Sequence, residues 1–188
     1  MIRLSIASLA IIVIIGSIAF LLLGGDDDDN GSDVDIADYS YPVEQPEELT
    51  DRSHFDLGLT YDDYTSDPPT SGPHALRPAE TGVSDLAVPK EQAVHNMEHS
   101  HVVVWYNCNA PPVLTNDDCI TLRNNLAEVV QEQIGEGREV LMSPYPAMES
   151  RIALTSWGYL DAFDEFDEVR VRTFIETFEC NYDPEGFC

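Results

Sequence analysis

Basic side chains are scarce in this chain of 188 residues: Lys and Arg together number 9 against 35 for Asp and Glu, which leaves a formal net charge of −26. Lys90 is the only lysine. Phosphate groups repel such a surface, so the composition argues against nucleic acid and anionic lipid as partners. Most carboxylates are expected to form a solvated surface, and binding of calcium or a polycation is the alternative.

Several catalytic and cofactor motifs are also missing. The sequence has no phosphate-binding glycine loop, no haem-attachment motif and no G-x-S-x-G around any serine. These absences argue against nucleotide binding, covalently attached haem and serine hydrolysis of the α/β-hydrolase type.

Cysteine is sparse too, with four residues that form no C-x-x-C pair and no recognised zinc spacing. Thiol redox catalysis and a cysteine-ligated zinc therefore have little support. An even number of cysteines in an exported domain predicts two disulfides, for which three pairings are possible. Pairing of sequence neighbours closes the shortest loops, which favours Cys108–Cys119 and Cys180–Cys188.

One apolar run, residues 4–23, carries no charged residue, and a helix needs about 20 apolar residues to cross a bilayer. Arg3 precedes the run and four aspartates follow it, so the bulk of the chain is expected outside the cytoplasm, in the periplasm or extracellular space. Residues 17–19 could form a cleavage site, which would make the protein secreted. The run continues beyond that site, which favours a retained single-pass membrane anchor.

The sequence divides into three parts. Residues 1–24 are the transmembrane anchor (or signal peptide), residues 25–50 an acidic flexible linker, and residues 51–188 a single extracytoplasmic α/β domain. The linker is rich in Asp, Gly, Ser, Pro and Glu, a composition typical of solvated spacers. The chain is 43% hydrophobic, which is enough for the third part to build a core.

Hydrophobic periodicity predicts strands at 102–106, 139–142 and 151–157, and helices from Thr115 to about Ile134 and from Asp164 to about Phe178. The order predicts an α+β fold, a small mixed β-sheet with two packed helices in a two-layer sandwich, preceded by one N-terminal transmembrane helix. The inward stripes of the two helices include Ile120, Leu122, Leu126, Val129, Val130 and Ile134, then Phe166, Val169, Phe174, Ile175 and Phe178.

Three of the five histidines lie between His95 and His101, directly before the first of these strands. His95 and His99 are four residues apart, so one helical turn places them on the same face. Glu98 could ligate a metal beside them or orient an imidazole. His101 belongs to the start of the strand and points with alternate strand residues, so it is the least secure ligand.

A second histidine is held by a stiff segment, residues 68–74, whose sequence is P-P-T-S-G-P-H. Its prolines fix φ and Gly72 allows a tight turn. Such a segment loses little entropy on ordering, so it could hold His74 in place. The alternative is a connecting loop with an exposed histidine.

The segments 68–74 and 95–99 together resemble a prokaryotic domain family of unknown function whose members are exported or anchored by one N-terminal helix. The family pattern has a histidine, then P-P-T-S-G-P-H, then H-N-x-E-H-G and a strand ending in Tyr, a Trp-Gly pair and a Phe in the last helix. The resemblance covers about residues 52–185, and Ser100 stands where the family has Gly, which is expected to relax the turn. The residues that match are His54, His74, His95, Glu98, His99, Tyr106, Trp157, Gly158 and Phe174.

These observations predict a membrane-anchored extracytoplasmic metal-binding domain with His74, His95 and His99 as ligands and His54 and Glu98 in support. Neutral imidazole suits Zn²⁺ and Cu²⁺, and a nearby thioether such as that of Met97 would suit Cu⁺, so the ion is expected to be copper or zinc. The role would be metal capture or that of an accessory subunit, with other envelope or membrane-complex proteins as partners.

Two other functions are possible. The domain could be a non-catalytic interaction module of a membrane complex, its histidines buried and hydrogen-bonded without metal. It could also be a small metal-dependent hydrolase with Glu98 as base, because His95-x-x-Glu98-His99 matches the H-x-x-E-H zinc-protease motif. That motif belongs within a long helix, whereas a strand is predicted three residues later, so a non-enzymatic role is favoured.

Overall fold

The computed structural model describes residues 39–186 and 188. The predicted membrane segment 4–23 and the first part of the linker lie outside these residues. Within the described part, no helix has the length and apolar character that a membrane span requires. The elements are β1 His54–Phe55, β2 His74–Ala75, β3 Gly82–Val83, α1 Lys90–Glu98, β4 Val102–Tyr106, α2 Asn116–Gly135, β5 Val140–Pro144, β6 Ile152–Ser156, β7 Tyr159–Phe163 and α3 Glu168–Phe178.

The main sheet is mixed, which confirms the α+β class. Its strand order is β3-β5-β4-β6-β7. The first three of these strands are parallel neighbours, and β6 and β7 join in antiparallel pairing. Helix α2 makes the crossover that parallel β4 and β5 require. Strands β1 and β2 form a separate parallel pair.

The sheet is covered on both faces, so the predicted two-layer sandwich is wrong. Val102, Val104 and Tyr106 of β4 pack in one cluster with α2 and α3. Val103 and Trp105 of the same strand pack on the other face with α1. Because neighbouring strand residues point to opposite faces, the uninterrupted apolar run of β4 is explained by burial on both sides. Three helices, not two, cover the sheet in the described part of the chain.

Helix boundaries agree with capping chemistry more than with apolar spacing. Thr115 caps α2 as predicted, accepting from the backbone N–H of Asp118 at 3.2 Å. Helix α3 begins at Glu168 behind the cap Asp167, not at Asp164, because residues 159–163 form β7. The expectation that Ile120 points inward is wrong.

Ile120 is 56% and Val169 61% exposed, although both were expected in the inward stripes. Each lies two positions before another apolar residue of its helix, Leu122 and Val171 respectively. Two positions correspond to about 200° around a helix, so both members of a pair cannot face the sheet. Leu122 and Val171 are the buried ones.

Both disulfides form as predicted. Cys108–Cys119 links the end of β4 to the first turns of α2. Cys180–Cys188 closes the segment that follows α3. Disulfides persist in oxidising compartments, so this pairing fits an extracytoplasmic domain.

The described end of the predicted linker packs against the domain instead of being a flexible spacer. Tyr39 is buried, and its hydroxyl donates to Asp161 of β7. Glu44 bridges Leu160 of β7 in antiparallel fashion. The predicted boundary at residue 50 therefore falls too late, because residues from Tyr39 onward contribute to the folded unit.

Candidate metal centre

The short β1–β2 pair brings two distant histidines together. His54 lies directly opposite His74 in the parallel register. The backbone N–H of His74 donates to Ser53 O at 3.1 Å, and that of Leu76 to Phe55 O at 2.8 Å. The two Nε2 atoms of the histidines are 3.1 Å apart.

The segment 68–74 is buried, and its polar groups are bonded within the protein. Ser71 Oγ accepts from the backbone N–H of Leu49 at 3.0 Å, and Thr70 O accepts from that of Gly158 at 3.1 Å. Gly72 has a φ of 114°, and a Cβ there would lie 2.7 Å from Leu49 Cδ1. Glycine is therefore favoured by the positive φ, and a methyl group at this position would also have to displace the end of the Leu49 side chain. The alternative of a connecting loop with an exposed histidine is wrong, since His74 is 0% exposed.

Helix α1 supplies the other ligand candidates. His95 and Glu98 lie within the helix and His99 is its C-cap. Asn96 is fully buried and clamps the helix to the segment after β2, accepting from Ala79 N–H and donating to Ala79 O, both at 2.9 Å. This clamp orients the face of α1 toward β1 and β2.

Backbone carbonyls fix the tautomers of two histidines. His74 Nδ1 is 2.8 Å from Gly72 O, and His95 Nδ1 is 2.6 Å from Ala75 O. A carbonyl only accepts, so each Nδ1 carries the proton and, in the neutral ring, the lone pair belongs to Nε2. Metal-binding histidines are oriented in this way in proteins.

Three imidazoles converge. One ring nitrogen each of His54, His74 and His95 lies within 4.8 Å of the other two. A tetrahedral ion with Zn–N bonds near 2.0 Å would hold its ligand nitrogens about 3.3 Å apart. The observed spacing is close enough that small side-chain rotations would close the site around one ion.

Glu98 adds a carboxylate to this group. Its Oε2 is 2.9 Å from His74 Nε2 and 3.4 Å from His54 Nε2, and the residue is 5% exposed. Burial would raise the pKa of Glu98, but the hydrogen bond with His74 and the nearby charges of His74, His54 and His95 outweigh it, so the pKa is lowered. The site therefore contains an ionised carboxylate that can balance a cation.

His99 lies at the edge of the cluster. Its Nε2 is 3.1 Å from His95 Nε2 and 3.1 Å from Glu185 Oε2. The predicted primary trio of His74, His95 and His99 is thus arranged differently. His54 joins His74 and His95 in an inner group, and His99 lies between that group and Glu185.

His95, the histidine of α1 that belongs to the inner group, favours the neutral imidazole form. Burial and the charges of His99, His74 and His54 lower the pKa of His95, against the effect of its bond to Ala75 O. A neutral imidazole is the form that binds metal.

Two residues considered from the sequence are directed elsewhere. His101 Nδ1 accepts from Asn96 Nδ2 at 3.2 Å, and burial lowers the pKa of His101 to about 4. Met97 is fully buried in the core cluster that contains Trp105. The group around His74 therefore consists of nitrogen and oxygen donors in the described part of the chain.

Two contributors were missed by sequence reasoning. Asn96 is a poor helix former inside a helix, and that unfavourable choice was a usable signal. Glu185 gave no such signal, because it is one of many acidic residues and reaches His99 only through the fold. The Trp157–Gly158 pair, part of the family pattern, also supports the site. The rings of Trp157 and His74 pack edge to face with their centroids 6.3 Å apart, and the backbone N–H of Gly158 donates to Thr70 O.

The fold and the site define a disulfide-bonded α+β domain with a buried centre of histidines and a glutamate. The chain belongs to the family described as Protein of unknown function (DUF3105), whose model matches residues 60–187. This match confirms the membership predicted from the two motifs. It includes His74, His95, Glu98 and His99, and it begins after His54. No curated protein and no solved structure matches the chain.

Proposed function

We propose that the protein is an extracytoplasmic domain that binds one divalent zinc or copper ion through His54, His74 and His95. Glu98 is the fourth ligand or the charge partner of the bound ion. The observation that carries the proposal is the convergence of these three ring nitrogens, two of them on rings whose other nitrogen donates to a backbone carbonyl.

Charge supports a cation at this point. The Nε2 atoms of His54 and His74 face each other across 3.1 Å, with the Glu98 carboxylate 2.9 Å from His74 Nε2. With no proton on either Nε2, these three atoms are all acceptors, and they repel each other in a buried site, where electrostatic interactions are strong. A divalent ion between them would convert the repulsion into ligation.

The donor set favours Zn²⁺ or Cu²⁺ over Cu⁺. Imidazole and carboxylate are ligands of borderline and harder ions, whereas Cu⁺ prefers sulfur. The thioether of Met97 is buried in the core, so it supports no Cu⁺ site among the histidines.

The geometry favours holding an ion over hydrolysis. A general base works best with a pKa near the operating pH, and the lowered pKa of Glu98 makes this carboxylate a weak base. Metal capture therefore fits better, and the apolar segment 4–23 with the two disulfides supports a membrane-anchored role beside other envelope proteins.

Metal analysis of the full chain, purified in detergent without a histidine tag, tests the proposal. After exposure to Zn²⁺ or Cu²⁺ and desalting, we expect about one ion per chain. His74→Ala and His95→Ala should lose the ion, and His101→Ala, a control histidine that directly precedes β4, should retain it. Absence of stoichiometric metal in the folded wild type would overturn the proposal.

A metal-free structural module is the second candidate, and the His74–Glu98 contact of 2.9 Å favours it. With His74 protonated, this contact would be a buried ion pair that ties β2 to α1. In that case the melting temperature would be the same with chelator and with added zinc, whereas a metal that binds only the folded state raises it.

A further inference from the structure

The segment after α3 turns back onto the metal centre. Ser100, next to His99, accepts from the backbone N–H of Cys180 at 3.0 Å, and its hydroxyl donates to Tyr182 O at 2.7 Å. Ser100 and Cys180 both have positive φ, 73° and 62°, a conformation that costs a non-glycine residue about 1 kcal/mol or more. Ser100 therefore keeps the left-handed turn instead of relaxing it, and its two hydrogen bonds fix the start of the segment beside His99.

The same segment is also fixed by its aromatic residue. Tyr182 stacks on Trp157 with ring centroids 4.7 Å apart and an interplanar angle of 8°. Arg52 donates to the Tyr182 hydroxyl. Because Trp157 packs against His74, the segment rests on the residue that borders the inner histidines. The Cys180–Cys188 disulfide then closes it into a loop, which we term the C-terminal loop (residues 180–186 and 188).

The C-terminal loop carries Glu185, whose Oε2 is 3.1 Å from His99 Nε2. The side chain of Glu185 is 46% exposed and that of His99 19%. His99 Nε2 is in turn 3.1 Å from His95 Nε2. The side chains of Glu185, His99 and His95 thus form a row from the solvent to the inner group. Neighbouring donor atoms in this row are 3.1 Å apart, a distance at which two atoms can ligate the same ion.

A cleft adjoins this outer end. It has a volume of about 450 Å³ and is lined by His99, His101, Cys188 and the acidic residues Glu80, Glu139 and Glu179. Carboxylates around an opening attract cations and raise their local concentration. A hydrated divalent ion can therefore reach His99 through an opening of favourable charge.

We propose that His99 and Glu185 form an outer pair of ligands through which the ion passes on its way into and out of the inner site. The Cys180–Cys188 disulfide keeps Glu185 beside His99. This inference rests on the proposed function, since it requires the inner site to bind an ion.

The physical role of the outer pair is stepwise replacement of water. A hydrated ion that entered the inner group directly would lose several waters before it gained ligands. Two ligands at the rim stabilise the partly dehydrated ion and leave the end states unchanged. Their loss therefore slows entry and release by the same factor and leaves the equilibrium dissociation constant unchanged.

Zinc transfer kinetics of the full chain test the inference, with uptake measured by rapid mixing with Zn²⁺ and release by mixing with excess chelator. In Glu185→Gln we expect both rates to fall about 10-fold at unchanged affinity, which corresponds to about 1.4 kcal/mol less stabilisation of the partly dehydrated ion. Glu128→Gln, which removes the same charge from the exposed side of α2, is the matched control and should keep wild-type rates.

The disulfide is tested in parallel. Cys180→Ser with Cys188→Ser should slow both rates as Glu185→Gln does, and Cys108→Ser with Cys119→Ser should not. If the Cys180→Ser, Cys188→Ser double variant does not fold, the transfer rates of Glu185→Gln and His99→Gln still test the outer pair. Wild-type rates in Glu185→Gln, or faster release with weaker affinity, would overturn the outer pair. A wild type that binds no zinc would instead overturn the proposed function.

Discussion

Three histidines, His74, His95 and His101, show two arrangements that differ in the hydrogen bond at Nδ1. His74 and His95 donate from Nδ1 to backbone carbonyls, which leaves Nε2 for a ligand. His101 accepts at Nδ1 from Asn96, so its ring is neutral and its proton is on Nε2. His95 and His101, six positions apart, thus differ in chemistry because of the partner that each Nδ1 contacts.

The neutral state of His101 predicts a dependence of stability on pH. Burial lowers the pKa of His101 from the ordinary 6.5 to about 4 in the folded protein. Between these values the unfolded chain binds a proton that the folded protein does not, so the free energy of unfolding falls as the pH falls. Between pH 7 and pH 5 we expect wild type to lose about 1 to 2 kcal/mol more than His101→Gln.

Urea unfolding of both proteins at the two pH values measures this difference. The comparison with His101→Gln cancels the titration of the many carboxylates, which both proteins share. Equal losses in the two proteins would show that His101 does not set this part of the pH dependence.

At the scale of elements, the segment 68–74 behaves as a rigid support for one imidazole. Gly72 provides the carbonyl that fixes His74, and its own position is limited by Leu49 and Tyr64, which a Cβ would meet at 2.7 and 3.4 Å. The support also depends on β6 and β7, whose turn residue Gly158 bonds Thr70. The ligand position is therefore determined by contacts well beyond the motif.

Gly72→Ala, compared with a control glycine, should separate the loss of support for His74 from simple backbone strain. We expect a loss of about 2 to 3 kcal/mol in the free energy of unfolding and a zinc affinity about 10-fold weaker, because the added methyl group displaces the His74 support. Gly58→Ala is the control: Gly58 also has a positive φ of 87°, and no described atom would lie within 4 Å of its Cβ.

Denaturant unfolding and zinc competition with a chelator measure both quantities. Gly58→Ala should lose only the strain contribution, about 1 kcal/mol, and keep its zinc affinity. Equal zinc affinity in Gly72→Ala and wild type would contradict the assigned role of the segment.

The elements that sequence could predict are those determined by local pattern. Strand β4 and helix α2 agree with prediction because a β-branched run and the Thr115 cap are local signals. Strand β7 was missed because Tyr159–Phe163 alternates weakly and contains Asp161, whose carboxylate is paired by Arg170 only in the fold. The sequence leaves α1 open as a helix or a turn, since its histidines and Asn96 are weak helix formers.

The site was predictable in its parts and not in its arrangement. The motifs identified His74, His95 and Glu98 as a candidate group. The pairing of His54 with His74 depends on a two-residue parallel bridge, which has no sequence period. His54 and His74 are far apart in the sequence, so they come together only when the rest of the domain folds around β1 and β2.

The whole molecule is strongly anionic, with a formal net charge of −26. Like charges on a compact surface repel each other and destabilise the folded state. Salt shortens the range of this repulsion, from about 10 Å at 0.1 M to about 3 Å at 1 M. Stability should therefore rise with ionic strength.

We expect the melting temperature to increase by about 5 °C between 0.05 and 1 M potassium chloride, which corresponds to roughly 1 kcal/mol for a domain of this size. Calorimetry of the full chain measures it. The increase should be smaller at pH 4, where many carboxylates are protonated. A melting temperature that does not change with salt would show that repulsion between the acidic residues does not measurably destabilise the folded state.

The stack of Tyr182 on Trp157 has a spectroscopic consequence. Trp157 lies between the C-terminal loop and His74, while the other tryptophan, Trp105, is fully buried in the core beside β6. An indole so placed changes its emission when its stacking partner moves, and a paramagnetic ion nearby quenches it. The fluorescence of Trp157 therefore reports movement of the C-terminal loop and binding of a paramagnetic ion. A Trp157→Phe variant gives the emission of Trp105 alone, which is subtracted as background.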